Sequence, residues 1–204
     1  MAEQPALALA EFSSVARGIE AADAMVKKAP ITTIKSGTVQ PGRYLVLIAG
    51  DEASVDESLA AGIEAGGEAL LDTVFLPQVH TSVVDAIAGG RELPEVDALG
   101  VIETTSVPST LQAADAGVKG ADVVLLEVRM ADGLGGKGIC FFSGAVADVE
   151  AAFALGVGSL PHLDLLLRQV VIPALHEDMA ENIWADTRFA PRVRGTTDKP
   201  SASG

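Results

Sequence analysis

Few residues of this sequence have the types and spacing that chemistry requires. Gly133, Gly135 and Gly138 spell G-x-G-x-x-G behind an apolar run. That pattern can hold a dinucleotide pyrophosphate on the amides that open a helix. The next residues, ICFFSG, read as a strand, so the loop joins two strands and a nucleotide site is rejected. Lys137 is followed by Gly138 rather than Ser or Thr, which excludes a P-loop. Cys140 stands between Ile139 and Phe141 with no charged neighbour to lower its pKa, and a buried, inert thiol is expected. His80 and His176 each follow a proline by three residues at the start of a helix, which suits cap or interface residues rather than catalysts. Asp23–Lys27 and Asp115–Lys119 have the i,i+4 spacing and order of solvated helix pairs, and alone say nothing more. No catalytic constellation and no metal-ligand spacing emerges, so neither an enzyme nor a bound metal or cofactor is expected.

The two acid–base pairs matter because they are copies. Glu20 to Pro30, EAADAMVKKAP, returns as Gln112 to Ala121, QAADAGVKGA, with both the aspartates and the lysines 92 residues apart. The apolar positions Val15, Ile19, Ala22, Val26 and Ala29 are answered by Val107, Leu111, Ala114, Val118 and Ala121. Their 4-3-4-3 spacing predicts an amphipathic helix in each copy, and the repetition predicts a duplicated domain.

The elements around those helices repeat in the same order. Strands are expected over 6–13, 31–35, 44–49 and 69–76, with a second helix carrying Val55, Leu59 and Ile63 and a short last helix after LPQVH. SGTVQPG, after the second strand, reads as a turn. The second half offers strands over 98–104, 123–130, 138–143 and 163–172 and a helix over 148–157. The offset drifts from 92 to 94 at Gly50/Gly144 and to 96 at Pro77/Pro173 and His80/His176, as two-residue insertions in loops would produce. The predicted class is α+β: two tandem ferredoxin-like, split βαβ domains in unpermuted order, each an antiparallel sheet with helices on one face. The expected divisions are residues 1–90 and 91–187, with 188–204 a disordered tail.

Composition bounds the partners. Twenty-eight acidic and 14 basic residues give a formal charge of −14, the wrong sign for nucleic acid. Hydrophobic content of 49% fills two cores, while 4% aromatics and 21 glycines favour small side chains and close backbone approach over a bulky-ligand cavity. One cysteine excludes an internal disulfide framework. With no leader and no apolar run of about 18 residues, a cytosolic, non-membrane protein is expected.

ALALAEF and ALGVIET, EAADAMVKKA and QAADAGVKGA, LPQVH and IPALH, in order and twice, resemble the shell proteins of bacterial microcompartments. The likeness covers about residues 6 to 185, and is to the tandem-domain type, of the kind found in propanediol-utilisation shells. It implies a homotrimer that imitates a hexagon, with six domains around a pore for small polar metabolites. Such tiles meet other shell hexamers and pentamers edge to edge around encapsulated enzymes. The resemblance puts the pore at the turn between the second and third strands: Ser36, Gly37, Thr38, Val39 and Gln40 in one half, Ala131, Asp132, Gly133, Leu134, Gly135 and Gly136 in the other. It puts Asp23, Lys27, Asp115 and Lys119 at tile edges with Gln78, His80, Ala174 and His176.

Two departures stand out. Gln78 and Ala174 occupy the place where family members often carry an arginine before the final histidine. Gln40 stands where cluster-bearing relatives place cysteine, and an amide is no iron–sulfur ligand, so no cluster is expected. The competing reading is a cytosolic ligand-binding regulator of tandem ferredoxin-like domains, which would stay a discrete oligomer where a shell tile forms sheets.

Overall fold

The computed structural model describes residues 5–91 and 98–188. Residues 92–97 of the linker, and the tail expected to be disordered apart from Arg188, lie outside the described residues. The first half runs β1 (Ala6–Phe12), α1 (Val15–Lys28), β2 (Thr33–Val39), β3 (Arg43–Gly50), α2 (Glu52–Gly66), β4 (Leu70–Leu76) and α3 (Thr81–Ile87). The second runs β5 (Ala98–Thr104), α4 (Val107–Gly120), β6 (Val124–Met130), β7 (Gly138–Gly144), α5 (Val146–Gly158), β8 (Leu166–Ile172) and α6 (Glu177–Ala185). Both sheets are antiparallel, in the orders β2-β3-β1-β4 and β6-β7-β5-β8. The duplication reaches the register: Ala6 faces Gly50 as Ala98 faces Gly144, and the first strand of each sheet breaks register against the fourth after Glu11 or Glu103.

Local chemistry starts the helices where they start. Ser14 and Ser106 cap α1 and α4, accepting from Arg17 N and Ser109 N. Asp51 caps α2, and the hydrogen bonds it accepts from Ser54 hold its carboxyl below the usual range. His80 and His176 cap α3 and α6 through Nδ1, which fulfils the cap expectation. Cys140 is fully buried and burial pushes its thiol pKa up, as an inert core thiol requires.

Strand β1 is buried on both faces, which divides its alternating side chains between two cores. Ala6, Ala8, Ala10 and Phe12 pack with Met25, Val46, Ile48 and Val55 beneath α1 and α2. Leu7 and Leu9 point the other way, into a cluster that includes Val74, Val79 and Val83 of the first half and Val107 and Leu111 of the second. The halves therefore share a core. In the second half α4 and α5 approach so closely that a Cβ on Gly156 would lie 2.7 Å from the carbonyl oxygen of Ala113.

Three expectations need correction. The segment Ser36–Val39 is strand rather than turn, because its backbone pairs with Val46–Arg43; only Gln40-Pro41-Gly42 turns the chain. β8 begins at Leu166 rather than 163, since Leu163–Leu165 wind into a 3-10 turn. The predicted stripe of α1 coincides with its buried face only at Ala22. Gly18, Ala21, Ala22 and Met25 are buried, while Ile19 and Val26 are 53% and 43% exposed. Their counterparts in α4 behave differently, and the reason lies between the halves.

Candidate assembly interface and pore loops

The second half's α4 lies against the back of the first half's sheet, and Glu11 is fully buried beneath its first turn. Glu11 Oε1 accepts from Arg43 Nη1 at 2.7 Å, and Oε2 accepts from the amide of Val107, the first residue of α4, at 2.9 Å. The Arg43 guanidinium also reaches the carbonyl oxygens of Thr105 at 3.2 Å and Gly136 at 3.1 Å. Asp72, facing Glu11 on the neighbouring strand, accepts from the hydroxyls of Ser106 and Ser109. Two carboxylates thus meet the amide end of a helix, where its dipole favours negative charge. Burial still dominates at Glu11 and raises its pKa above the ordinary 4.5, with Arg43 and the Val107 amide pulling it back and Asp72 adding to the rise.

Further along the same seam, Asp115 Oδ1 accepts from the amide of His80 at 2.8 Å. Lys119 donates to Asp115 Oδ2 at 2.5 Å and to the carbonyl of Gln78. Val79 and Val83 are fully buried at this contact, α3 lying against β6. Arg91 follows α3, pairs with Glu127 at 3.1 Å and donates to the carbonyl oxygens of Ile183 and Trp184 at the end of α6. Of the residues expected at tile edges, the structure brings Asp115, Lys119, Gln78 and His80 together in the seam between the halves. Asp115 is therefore not the solvated pair member that its spacing suggests; its side chain is 5% exposed. Asp23 and Lys27 do form the solvated pair, at 2.5 Å, and Ala174 and His176 lie exposed.

The expected pore segments come together too. Gly136, at φ 90°, abuts the first half's turn: a Cβ there would lie 2.9 Å from Arg43 Cζ and 3.0 Å from Pro41 Cδ. A cavity of about 340 Å³ is bounded by Ser36, Thr38 and Val39 of one half and Met130 and Asp132 of the other. Ala131 and Gly136 are buried, so they support the second loop, while Asp132, Gly133 and Gly135 are exposed. Gly133 and Gly135 take positive φ, and the G-x-G-x-x-G segment joins β6 to β7 as its strand-flanked sequence predicts.

Sequence reasoning missed Glu11, Arg43, Asp72 and Glu127 as interface residues. A trace was present: Glu11 and Glu103 both put a carboxylate near the end of an apolar strand, and Arg43 and Lys137 both follow the ensuing turn. Among the described residues no group of three or more His, Cys, Asp and Glu could hold a metal ion, and no helix is long and apolar enough to cross a membrane.

The chain matches the BMC domain model twice, over residues 6–79 and 98–175. It is 38% identical over 174 residues to the bacterial microcompartment shell protein PduT of Citrobacter freundii, covering 85% of this chain and 95% of that protein. It is 27% identical over 176 residues to the carboxysome assembly protein CcmO of Synechococcus elongatus, covering 79% and 62%. The structure is similar to that of a microcompartments protein from Desulfitobacterium hafniense DCB, with a TM-score of 0.75 and 41% identity over 87% of this chain and 99% of that one. The fused permuted hexameric shell protein MSM0275 from the RMM microcompartment shares the fold, with a TM-score of 0.56 and 20% identity over 77% and 82%.

Proposed function

The chain belongs to the BMC-domain family, with two such domains in tandem, and from that premise we propose that it is a tile of a bacterial microcompartment shell. The tile is a homotrimer of six domains around a central pore, located at the shell within the cytoplasm, with no catalysis of its own. The observation that carries this is the seam. It is heterologous: the back of one sheet receives the helix of the next domain, and the two surfaces differ. A heterologous contact that is repeated closes into a ring when its rotation allows. Each end of the chain carries the unmatched copy of one side of the seam, so three chains complete six such contacts.

The pore is lined by the adjoining loops of the two halves: Gln40 with the neighbouring Ser36, Gly37, Thr38 and Val39, and Asp132, Gly133, Leu134 and Gly135. Gln40 is exposed and uncharged, offering both donors and an acceptor to small polar metabolites. Asp132 adds negative charge beside it.

The tile edge carries Lys27 and Lys119, whose side chains keep 72% and 39% exposure. The solvated Lys27–Asp23 pair contributes about 0–1 kcal/mol, so Lys27→Ala leaves the fold in place, whereas Lys119 also holds Asp115 and Gln78 in the seam and is left unchanged. Electron microscopy of concentrated protein is expected to show sheets or tubes for wild type and only dispersed oligomers for Lys27→Ala. Sheets of equal extent from both would remove the edge role. A wild-type protein that stays a discrete oligomer at every concentration would favour a regulator over a tile.

A further inference from the structure

We infer that Asp23 and Glu103 are the latches between protomers, Asp23 accepting from the amide of His176 of a second copy and Glu103 from the amide of Val15 of a second copy. This deepens the tile reading and rests on it.

Each seam group has a counterpart 92 to 96 residues away. In the seam Glu11, steadied by Arg43, takes the first amide of α4, and Asp115, steadied by Lys119, takes the amide of His80. The counterparts are assembled in the same way but face outward. Lys137 holds Glu103 at 2.8 Å, and Lys27 holds Asp23 at 2.5 Å. The carboxylate side chains are 31% and 58% exposed, where Glu11 and Asp115 are 0% and 5%. The apolar surroundings match: Ile19 stands exposed in the place of buried Leu111, and Met179 exposed in the place of buried Val83.

The two amides complete the case. Val15 opens α1 as Val107 opens α4, and His176 caps α6 as His80 caps α3. Among the described residues, neither amide has an acceptor, whereas those of Val107 and His80 are bonded across the seam. A helix-opening amide gains from a carboxylate partner. Within one chain the pairs cannot form, because Glu103 and His176 belong to one end of the tandem and Val15 and Asp23 to the other. A second copy in the seam's own geometry supplies both at once: its α1 lies on the back of the second sheet as α4 lies on the first.

The joint is not a full copy of the seam. Arg168 faces Glu103 across β5 and β8, where Asp72 faces Glu11. Arg17 replaces Ser109 on the opposing helix. The Asp72–serine hydroxyl contacts thus have no counterpart in the joint, so it rests more on the two latches than the seam rests on Glu11 and Asp115.

The test compares wild type, Asp23→Ala, Glu103→Ala and the control Asp56→Ala, an exposed acid of α2 outside both surfaces, by light scattering across a dilution series. Each latch variant is expected to raise the concentration at which the trimer dissociates by about tenfold or more, the effect of losing one charge-assisted hydrogen bond. Circular dichroism is expected to match wild type, and Asp56→Ala to dissociate as wild type does. A wild-type trimer with latch variants that dissociate no more readily than Asp56→Ala overturns the latches alone. A wild type that never forms a trimer overturns the tile reading and the latches with it. If Glu103→Ala alters the circular dichroism, Asp23→Ala, on an exposed helix face, decides the matter by itself.

Discussion

Replacing Arg43 with Ala is expected to cost about 3–5 kcal/mol of folding stability at pH 7, the range for breaking a buried ion pair by removing one member. Arg43 steadies Glu11, which is fully buried, and also bridges the carbonyl oxygens of Thr105 and Gly136 across the seam. Without the guanidinium, Glu11 keeps only the Val107 amide and still faces Asp72.

The loss depends on pH, with a definite sign. Burial already raises the Glu11 pKa above 4.5, against the lowering pull of Arg43. Removing Arg43 raises it further. As pH falls, the folded variant then takes up a proton before the unfolded chain does, and folding gains. In wild type the same gain is present in full below the unfolded pKa and is lost as pH rises through the raised folded value. It is larger in the variant, so the deficit of Arg43→Ala narrows on acidification from pH 7 toward 4.5. Adding Glu11→Gln to Arg43→Ala removes the buried charge, restoring much of the loss and abolishing that pH dependence. Urea denaturation of the three proteins over this range is the check. A deficit below about 1 kcal/mol, or one flat with pH, would show that the pair does not hold the seam.

Truncating equivalent residues of the two repeats is expected to give unlike results. Leu111 is fully buried where α4 meets the shared core, so Leu111→Ala should cost about 2–5 kcal/mol, through lost transfer energy and the cavity left behind. Ile19, its counterpart, is 53% exposed in α1, so Ile19→Ala should change the unfolding of a separated chain by no more than about 0.5 kcal/mol. Its effect should fall on assembly instead, with the trimer dissociating at higher protein concentration. Equal losses of folding stability at the two positions, measured at low protein concentration, would contradict the seam-and-joint arrangement.

These contrasts show where the sequence was informative. Motif repetition located both halves, the order of their elements and the loop insertions, because local spacing and turn residues survive duplication. It could not tell Ile19 from Leu111 or Asp23 from Asp115, since each pair is the same residue type or nearly so in the same local setting. What separates them is the neighbour: α4 has the first half's sheet against it as well as its own, whereas α1 packs on its own half's sheet alone. The stripe expected to bury α1 in its own domain is instead the face that its copy uses between domains. The turn expected over Ser36–Val39 failed for a related reason. Gly37 disfavours a strand locally, but pairing with β3 carries the strand through it. Glu11 and Arg43 were least legible, because a lone carboxylate in an apolar strand acquires its meaning only from the helix that the second half lays over it.

The most direct measurement is the molar mass of the intact protein in dilute solution, by light scattering coupled to size exclusion. A closed ring of six domains requires three chains, so the expected value is three times 20.8 kDa, about 62 kDa, constant across the eluting peak. A mass of one or two chains under native conditions would contradict it.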